Sequence, residues 1–181
     1  MPKQQRRKLD KYYSPDIVLQ WLLQKQAVGI STEDTILECA VGGWAIAAPL
    51  ELEGYRVITN DIDPEVPADY HEDIASAAAW QTLPACDWVI TNPPFNVLNG
   101  ALPLMYDNCN KGLALFVRKS ITEPTFARQD WLQAHEQHLA QIIFCPRVSF
   151  TGDGKTDSSS CDWYIWKKSP VDGCKVNWIK K

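Results

Sequence analysis

Several features are missing from this 181-residue sequence. No apolar run approaches the ~20 residues of a membrane-spanning helix, and the basic, polar N-terminus has no hydrophobic segment of the kind a signal peptide needs. A helical membrane protein is thereby excluded, and a cytoplasmic location is expected. The six cysteines (Cys39, Cys86, Cys109, Cys145, Cys161 and Cys174) form no Cys-x-x-Cys pair, and the three histidines do not cluster with them. The reading is therefore reduced thiols and no zinc or other metal site. Gly-x-Gly-x-x-Gly is also absent, which disfavours a nicotinamide dinucleotide site.

Positive charge is scarce in the body of the chain. The net charge is −4, yet residues 1–12 and 167–181 carry +4 each, leaving −12 on what lies between. A duplex-binding surface is usually basic, and here only the two ends offer that. They are either solvated tails or a clamp on phosphates. Hydrophobic content of 45% and charged content of 22% are those of one globular domain with a core of its own.

The stretch on which the rest is organised is Asp87-Trp88-Val89-Ile90-Thr91-Asn92-Pro93-Pro94-Phe95. Trp88 to Thr91 reads as a short buried strand. The two prolines lack an N–H and fix φ, so neither helix nor ladder continues through them, and Asn92 is held extended at the strand tip. In an open α/β sheet, ligands bind at such tips. The Asn92 amide oxygen and the Pro93 carbonyl can both accept hydrogen bonds from an exocyclic NH2, while Phe95 stacks on the ring that bears it. Two acceptors on one side favour sp³ geometry at nitrogen and stabilise the positive charge of an attack on an electrophilic carbon. A plain Asn-Pro turn is the alternative.

Ser14 as N-cap and Pro15 in the first turn open a helix to about Gln26. Thr35 to Glu38 is a strand, followed by the small-residue turn Cys39-Ala40-Val41-Gly42-Gly43-Trp44 and a helix from Ala45 to about Glu53, the layout of a nucleotide-binding βα unit. Tyr55 to Asn60 is a second strand with Asp61 at its tip, placed either for ribose hydroxyls or for an Asx turn. Ala68 to Ile74 holds a short edge strand, and Ala75 to Gln81 a small helix. Val97–Asn108 and 126–139 read as helices; Gly112–Val117, Gln141–Cys145 and 162–167 read as strands. His135 and His138 share a helical face and are read as surface residues. The loop from Thr151 to Ser160 is a lid or substrate edge. This alternation predicts an α/β, doubly wound sheet closed by an antiparallel strand near the C-terminus.

The order of these pieces resembles the S-adenosylmethionine-dependent amino-methyltransferases, especially the adenine-N6 class of bacteria and phages. Asn92-Pro93-Pro94-Phe95 is similar to their catalytic motif, and Tyr12-Tyr13-Ser14-Pro15 to their Tyr-Tyr-Thr-Pro element beside the cofactor's methionine part. Leu37-Glu38-Cys39-Ala40-Val41-Gly42 resembles the first cofactor loop. Asp61-Ile62 resembles the ribose and adenine contacts, and Asp73-Ile74 the contacts to the cofactor's adenine edge. Arg147-Val148-Ser149-Phe150, with Asp162 to Trp166, is similar to the segment beside the target pocket. The resemblance implies a mostly parallel, seven-stranded Rossmann-like methyltransferase sheet over residues 12–167, flanked by a basic arm (1–11) and a basic tail (168–181). It further implies S-adenosyl-L-methionine as cofactor, held by Tyr13, Ser14, Pro15, Glu38, Ala40, Gly42, Asp61, Ile62, Asp73 and Ile74. Asn92, Pro93, Pro94 and Phe95 would be catalytic, with Phe95, Arg147 and Phe150 on the substrate.

Two departures stand out. Trp44 replaces the last glycine of the cofactor loop, so it either turns away from the cofactor or weakens its binding. No separate target-recognition domain is expected after Lys167, so the target would be read by a partner protein, by the 151–160 loop, or scarcely at all. The expected acceptor is adenine N6 in DNA. RNA adenine, cytosine N4 and a protein glutamine amide are the other acceptors such a turn could serve, and a non-catalytic binding module is the rival of another class.

Overall fold

A computed structural model describes residues 17–24, 29–123, 125–147 and 160–179. The strands are β1 (Thr35–Glu38), β2 (Arg56–Thr59), β3 (Cys86–Thr91), β4 (Cys109–Arg118), β5 (Leu139–Phe144), β6 (Cys161–Lys167) and β7 (Lys175–Trp178). The helices are α1 (Ile17–Gln24), α2 (Ala47–Leu52), α3 (Leu98–Asp107) and α4 (Phe126–Ala134), with short 3₁₀ turns between some of them. The strands form one sheet in the order β2-β1-β3-β4-β6-β5-β7. Only β6 runs antiparallel to its neighbours, β4 and β5. The expected doubly wound architecture, with one antiparallel strand late in the chain, is observed.

The middle of the sheet is buried on both faces, so strands such as β3, β4 and β6 are buried over most of their length rather than on alternate residues, while the edge strands β2 and β7 are more exposed. The period of two then decides which layer each side chain joins. Ile36, Trp88, Ile90, Phe116, Trp163 and Ile165 face one side, against Val18, Leu19, Trp21 and Leu22 of α1 and Leu50 of α2. Leu37, Val89, Leu113, Leu115, Tyr164 and Trp166 face the other, against Leu98, Leu102 and Met105 of α3. At Gly112, β4 leaves no room for a side chain. A methyl group there would collide with the Trp166 carbonyl and the Trp88 ring.

The membership of the sheet differs from expectation at both edges. Around residue 70 there is only an isolated bridge between Asn60 and Tyr70 rather than a strand. The Asp69 carboxylate accepts hydrogen bonds from the Thr59 N–H and hydroxyl, so a side chain takes an edge position that a backbone would otherwise occupy. At the opposite edge, the segment read as a basic tail contains β7, paired in parallel with β5 from Gln141↔Lys175 to Phe144↔Trp178. Trp178 packs on Phe144 with ring centroids 4.4 Å apart, and β7 covers what would be a bare strand edge.

The helix expected over 126–139 ends at Ala134, and β5 begins by Leu139. The Nδ1 atom of His135 lies 2.8 Å from the Trp131 carbonyl, and that of His138 lies 2.9 Å from the Lys167 carbonyl. Both rings pack with Tyr106, and His135 stacks on Trp131 at 4.3 Å, so they belong to a half-buried aromatic cluster rather than to the surface. All six cysteines are free thiols, five of them buried. Among the described residues no helix is long and apolar enough to cross a membrane.

Candidate functional site

The chain leaves β1 toward β2 on one side of the sheet, then returns past β1 to form β3 on its other side. The switch point of the topology therefore lies between β1 and β3, and the crevice at their carboxyl ends is where such folds hold ligands. Glu38 ends β1 and Thr91 ends β3. Both are buried at this crevice with their side chains close enough to interact, yet neither Glu38 Oε2 nor Thr91 Oγ1 completes a hydrogen bond of good geometry among the described residues. Buried polar atoms in folded proteins nearly always have partners, so two so poorly satisfied at a switch point mark a place for a polar ligand.

Burial pushes the Glu38 carboxyl up from its usual 4.5 to about 8. Thr91 and the Ala40 N–H pull the other way, and the neighbouring Asp61 carboxylate adds to the rise. The Ala40 N–H reaches Glu38 Oε1 at 3.4 Å, a weak bond. Glu38 is thus poised to gain a cationic or hydrogen-bond-donating partner, which would restore its charge.

The loop from Cys39 to Trp44 is fixed by three contacts with the tip of β2. The Val41 N–H donates to the Asn60 carbonyl at 3.0 Å, and the Gly42 N–H donates to Asp61 Oδ2 at 2.8 Å. Asn60, fully buried, donates through Nδ2 to the Cys39 carbonyl at 2.9 Å and to the Glu72 carbonyl at 3.1 Å. Its Oδ1 accepts the Glu72 N–H at 2.8 Å. This single amide ties together β1, β2 and the segment leading to Asp73. Nothing in the sequence distinguished it from any other asparagine at a strand end.

Gly42 has φ +49° and Trp44 has φ +65°. Trp44 thus keeps the left-handed backbone that a glycine would adopt, at a cost of about 1–2 kcal/mol. Its indole Nε1–H donates to the Pro67 carbonyl at 3.0 Å and its ring packs beside Val41, Ala47 and Val66. Of the two outcomes expected for this bulky residue, its ring is committed to the Pro67 segment.

Asp61 accepts the Asp63 N–H at Oδ1, 2.9 Å away, so it forms the Asx turn and braces the Gly42 loop at the same time. Each carboxylate oxygen retains a lone pair. Ile62 next to it is half exposed. Asp73 is exposed, and its Oδ1 accepts the Ala75 N–H at 2.9 Å. The Ile74 side chain belongs to the core, and its carbonyl accepts the Trp80 indole N–H at 3.0 Å.

At the end of β3, Pro93 is buried, Asn92 and Pro94 are half-buried, and Phe95 is 40% exposed. The carbonyls of Pro94 and Phe95 accept the N–H groups of Val97 and Leu98, leading directly into α3. Two guanidinium groups lie near the Phe95 ring, Arg118 at 5.7 Å and Arg128 at 5.8 Å from its centre. Arg128 is buried, donating to Asn99 Oδ1 at 3.1 Å and to the carbonyls of Ser120 and Glu123. Neither arginine was foreseen, because no motif or periodicity sets them apart. Of the other expected site residues, Arg147 is exposed. Tyr13, Ser14, Pro15 and Phe150, with nearly all of the 151–160 loop, lie outside the described residues.

No protein-family model matches the chain, and neither does any curated protein. Solved structures do. A modification subunit assigned to a type I restriction enzyme of Vibrio vulnificus YJ016 superposes with a TM-score of 0.66 at 13% identity, over 97% of this chain and 48% of that one. A protein of Listeria monocytogenes assigned as a class I S-adenosylmethionine-dependent methyltransferase gives 0.65 at 13% identity, over 97% and 68%. A dimethyladenosine transferase of Plasmodium falciparum gives 0.58 at 17% identity, over 83% and 60%. The chain spans about half the length of the restriction-enzyme subunit. At such identities the likeness is one of architecture, and the chain has the Rossmann-like methyltransferase fold.

Proposed function

We propose that the protein transfers a methyl group from S-adenosyl-L-methionine to an exocyclic amine, with adenine N6 in DNA as the acceptor. The observation that carries this is the pair of buried polar atoms, Glu38 Oε2 and Thr91 Oγ1, which complete no hydrogen bond of good geometry among the described residues, at the crevice from which Asn92-Pro93-Pro94-Phe95 projects. The residues fit the cofactor. Glu38 would face its cationic methionine end, Ala40 and Gly42 would line its path with little bulk, and Asp61 would accept from its ribose hydroxyls. Ile62, Asp73 and Ile74 would flank its adenine, and Tyr13, Ser14 and Pro15 would close over the methionine part.

When bound, the cofactor supplies an electrophilic methyl carbon whose bond pair leaves with the sulfonium sulfur. The Asn92 side-chain oxygen and the Pro93 carbonyl accept hydrogen bonds from the two N–H groups of the acceptor amine, directing the nitrogen lone pair at that carbon. Phe95 stacks on the base, which in a duplex must first leave the helix. The methylated nitrogen passes its extra proton to water once it is charged, so no histidine or cysteine base is needed. Arg147 and Phe150 would border the target.

The reading is supported by neighbours described as a class I S-adenosylmethionine-dependent methyltransferase and a dimethyladenosine transferase. The subunit similar over 48% of its length belongs to a multisubunit class of enzyme, and a partner protein is the proposed reader of the target sequence here too. The protein would act in the cytoplasm. Incubation with methyl-labelled S-adenosylmethionine and unmethylated DNA, followed by digestion to nucleosides, should place label in N6-methyldeoxyadenosine. Label only in RNA or protein would move the acceptor, and no binding of the cofactor by calorimetry would leave a non-catalytic module.

A further inference from the structure

We propose that Arg118 is the phosphate anchor for the nucleotide whose base stacks on Phe95, an inference that rests on the nucleic-acid substrate proposed above. β3 and β4 are adjacent and parallel, with Thr91 opposite Leu115. The chain beyond each tip therefore projects the same way, and this brings the Arg118 guanidinium within 5.7 Å of the Phe95 ring centre.

Arg118 ends β4, Lys119 follows it and Arg128 approaches Phe95, and the last two have other partners among the described residues. Arg128 is buried and donates through Nη1 and Nη2 to Asn99, Ser120 and Glu123, so it acts as a strut beside Phe95. Lys119 pairs with the buried Asp162 carboxylate at 3.6 Å and lies 5.4 Å from the centre of the Phe144 ring. Arg118 is exposed, and among the described residues it makes no hydrogen bond or ion pair. In a chain whose body is strongly acidic, a guanidinium whose one contact among the described residues is a partly exposed aromatic ring is a specific feature.

That pairing matches the two ends of one nucleotide. The ring takes the planar base, and the guanidinium fork takes the oxygens of its phosphate, which it can bind in bidentate fashion. A glutamine side chain has no anion to offer Arg118, so the geometry favours a nucleic acid over a protein acceptor.

The test uses the full chain and a fluorescently labelled DNA duplex containing adenines, with binding followed by anisotropy over a range of salt concentrations. Replacing one phosphate contact should lower the slope of log K against log salt by about one. Arg118→Gln should do this and raise KM for DNA about tenfold, with kcat within about twofold of the parent. Lys175→Gln, at the amino end of β7 and away from the strand tips, should leave the slope unchanged. An unchanged slope in Arg118→Gln, an equal fall in Lys175→Gln, or a loss confined to kcat would overturn the anchor while leaving methyl transfer intact. Failure of the unsubstituted protein to bind or methylate DNA would overturn both readings together.

Discussion

Gly42 donates its backbone N–H to Asp61 Oδ2 at 2.8 Å, so the loop after β1 and the tip of β2 are held as one unit. A carboxylate that also accepts the Asp63 N–H at 2.9 Å is a fixed platform before any ligand arrives. Asp61→Ala should leave two N–H groups without their acceptor and lower stability by about 1–3 kcal/mol. It should also weaken S-adenosylmethionine binding at least tenfold. Urea denaturation and calorimetry read the two effects separately. A variant as stable as the parent would mean that the loop holds its shape without Asp61.

Trp44 sits at φ +65° with its indole bonded to the Pro67 carbonyl. Both Trp44→Ala and Trp44→Gly lose that bond and the packing against Val66, but only glycine adopts the backbone without strain. Trp44→Gly should therefore be more stable than Trp44→Ala by about 1 kcal/mol, the reverse of the usual order. Equal denaturation midpoints, or a more stable alanine variant, would show that the backbone at 44 relaxes.

Burial of Glu38 should give the protein a pH dependence whose sign follows from the raised carboxyl pKa. Its folded carboxyl is pushed from 4.5 up to about 8 by burial, so between those values the native state keeps a proton that the unfolded chain has lost. Stability is then greatest below the lower value and falls as pH rises toward the upper one, by at most about 1.4 kcal/mol per pH unit from this group. Glu38→Gln should flatten that slope in urea denaturation across the window. If parent and variant show the same slope, the carboxyl is ionised in the folded protein.

Most of the architecture could be read from residue order, because buried strands announce themselves by apolar runs such as Leu113 to Val117 and the helices by their spacing. The edges could not. Whether residues 68–74 pair as a strand depends on where the Asp69 side chain points, and β7 exists because the rim of β5 needs cover. Within the site, Asn92 to Phe95, Glu38 and Asp61 stood out by type and position. Asn60, Thr91, Arg118 and Arg128 did not, since their roles come from neighbours distant in sequence. Arg128 is the clearest case: it reads as an ordinary helix-surface charge, yet it is buried beside Phe95.

The central claim is that the Asn92 corner polarises an amine beside a bound methyl donor. The direct measurement is transfer of labelled methyl from S-adenosylmethionine to DNA by the parent and by Asn92→Ala, with cofactor affinity measured on the same samples. The account predicts label at adenine N6 with the parent, at least a hundredfold less with the variant, and cofactor binding within about twofold between them. Undiminished transfer by Asn92→Ala would contradict it.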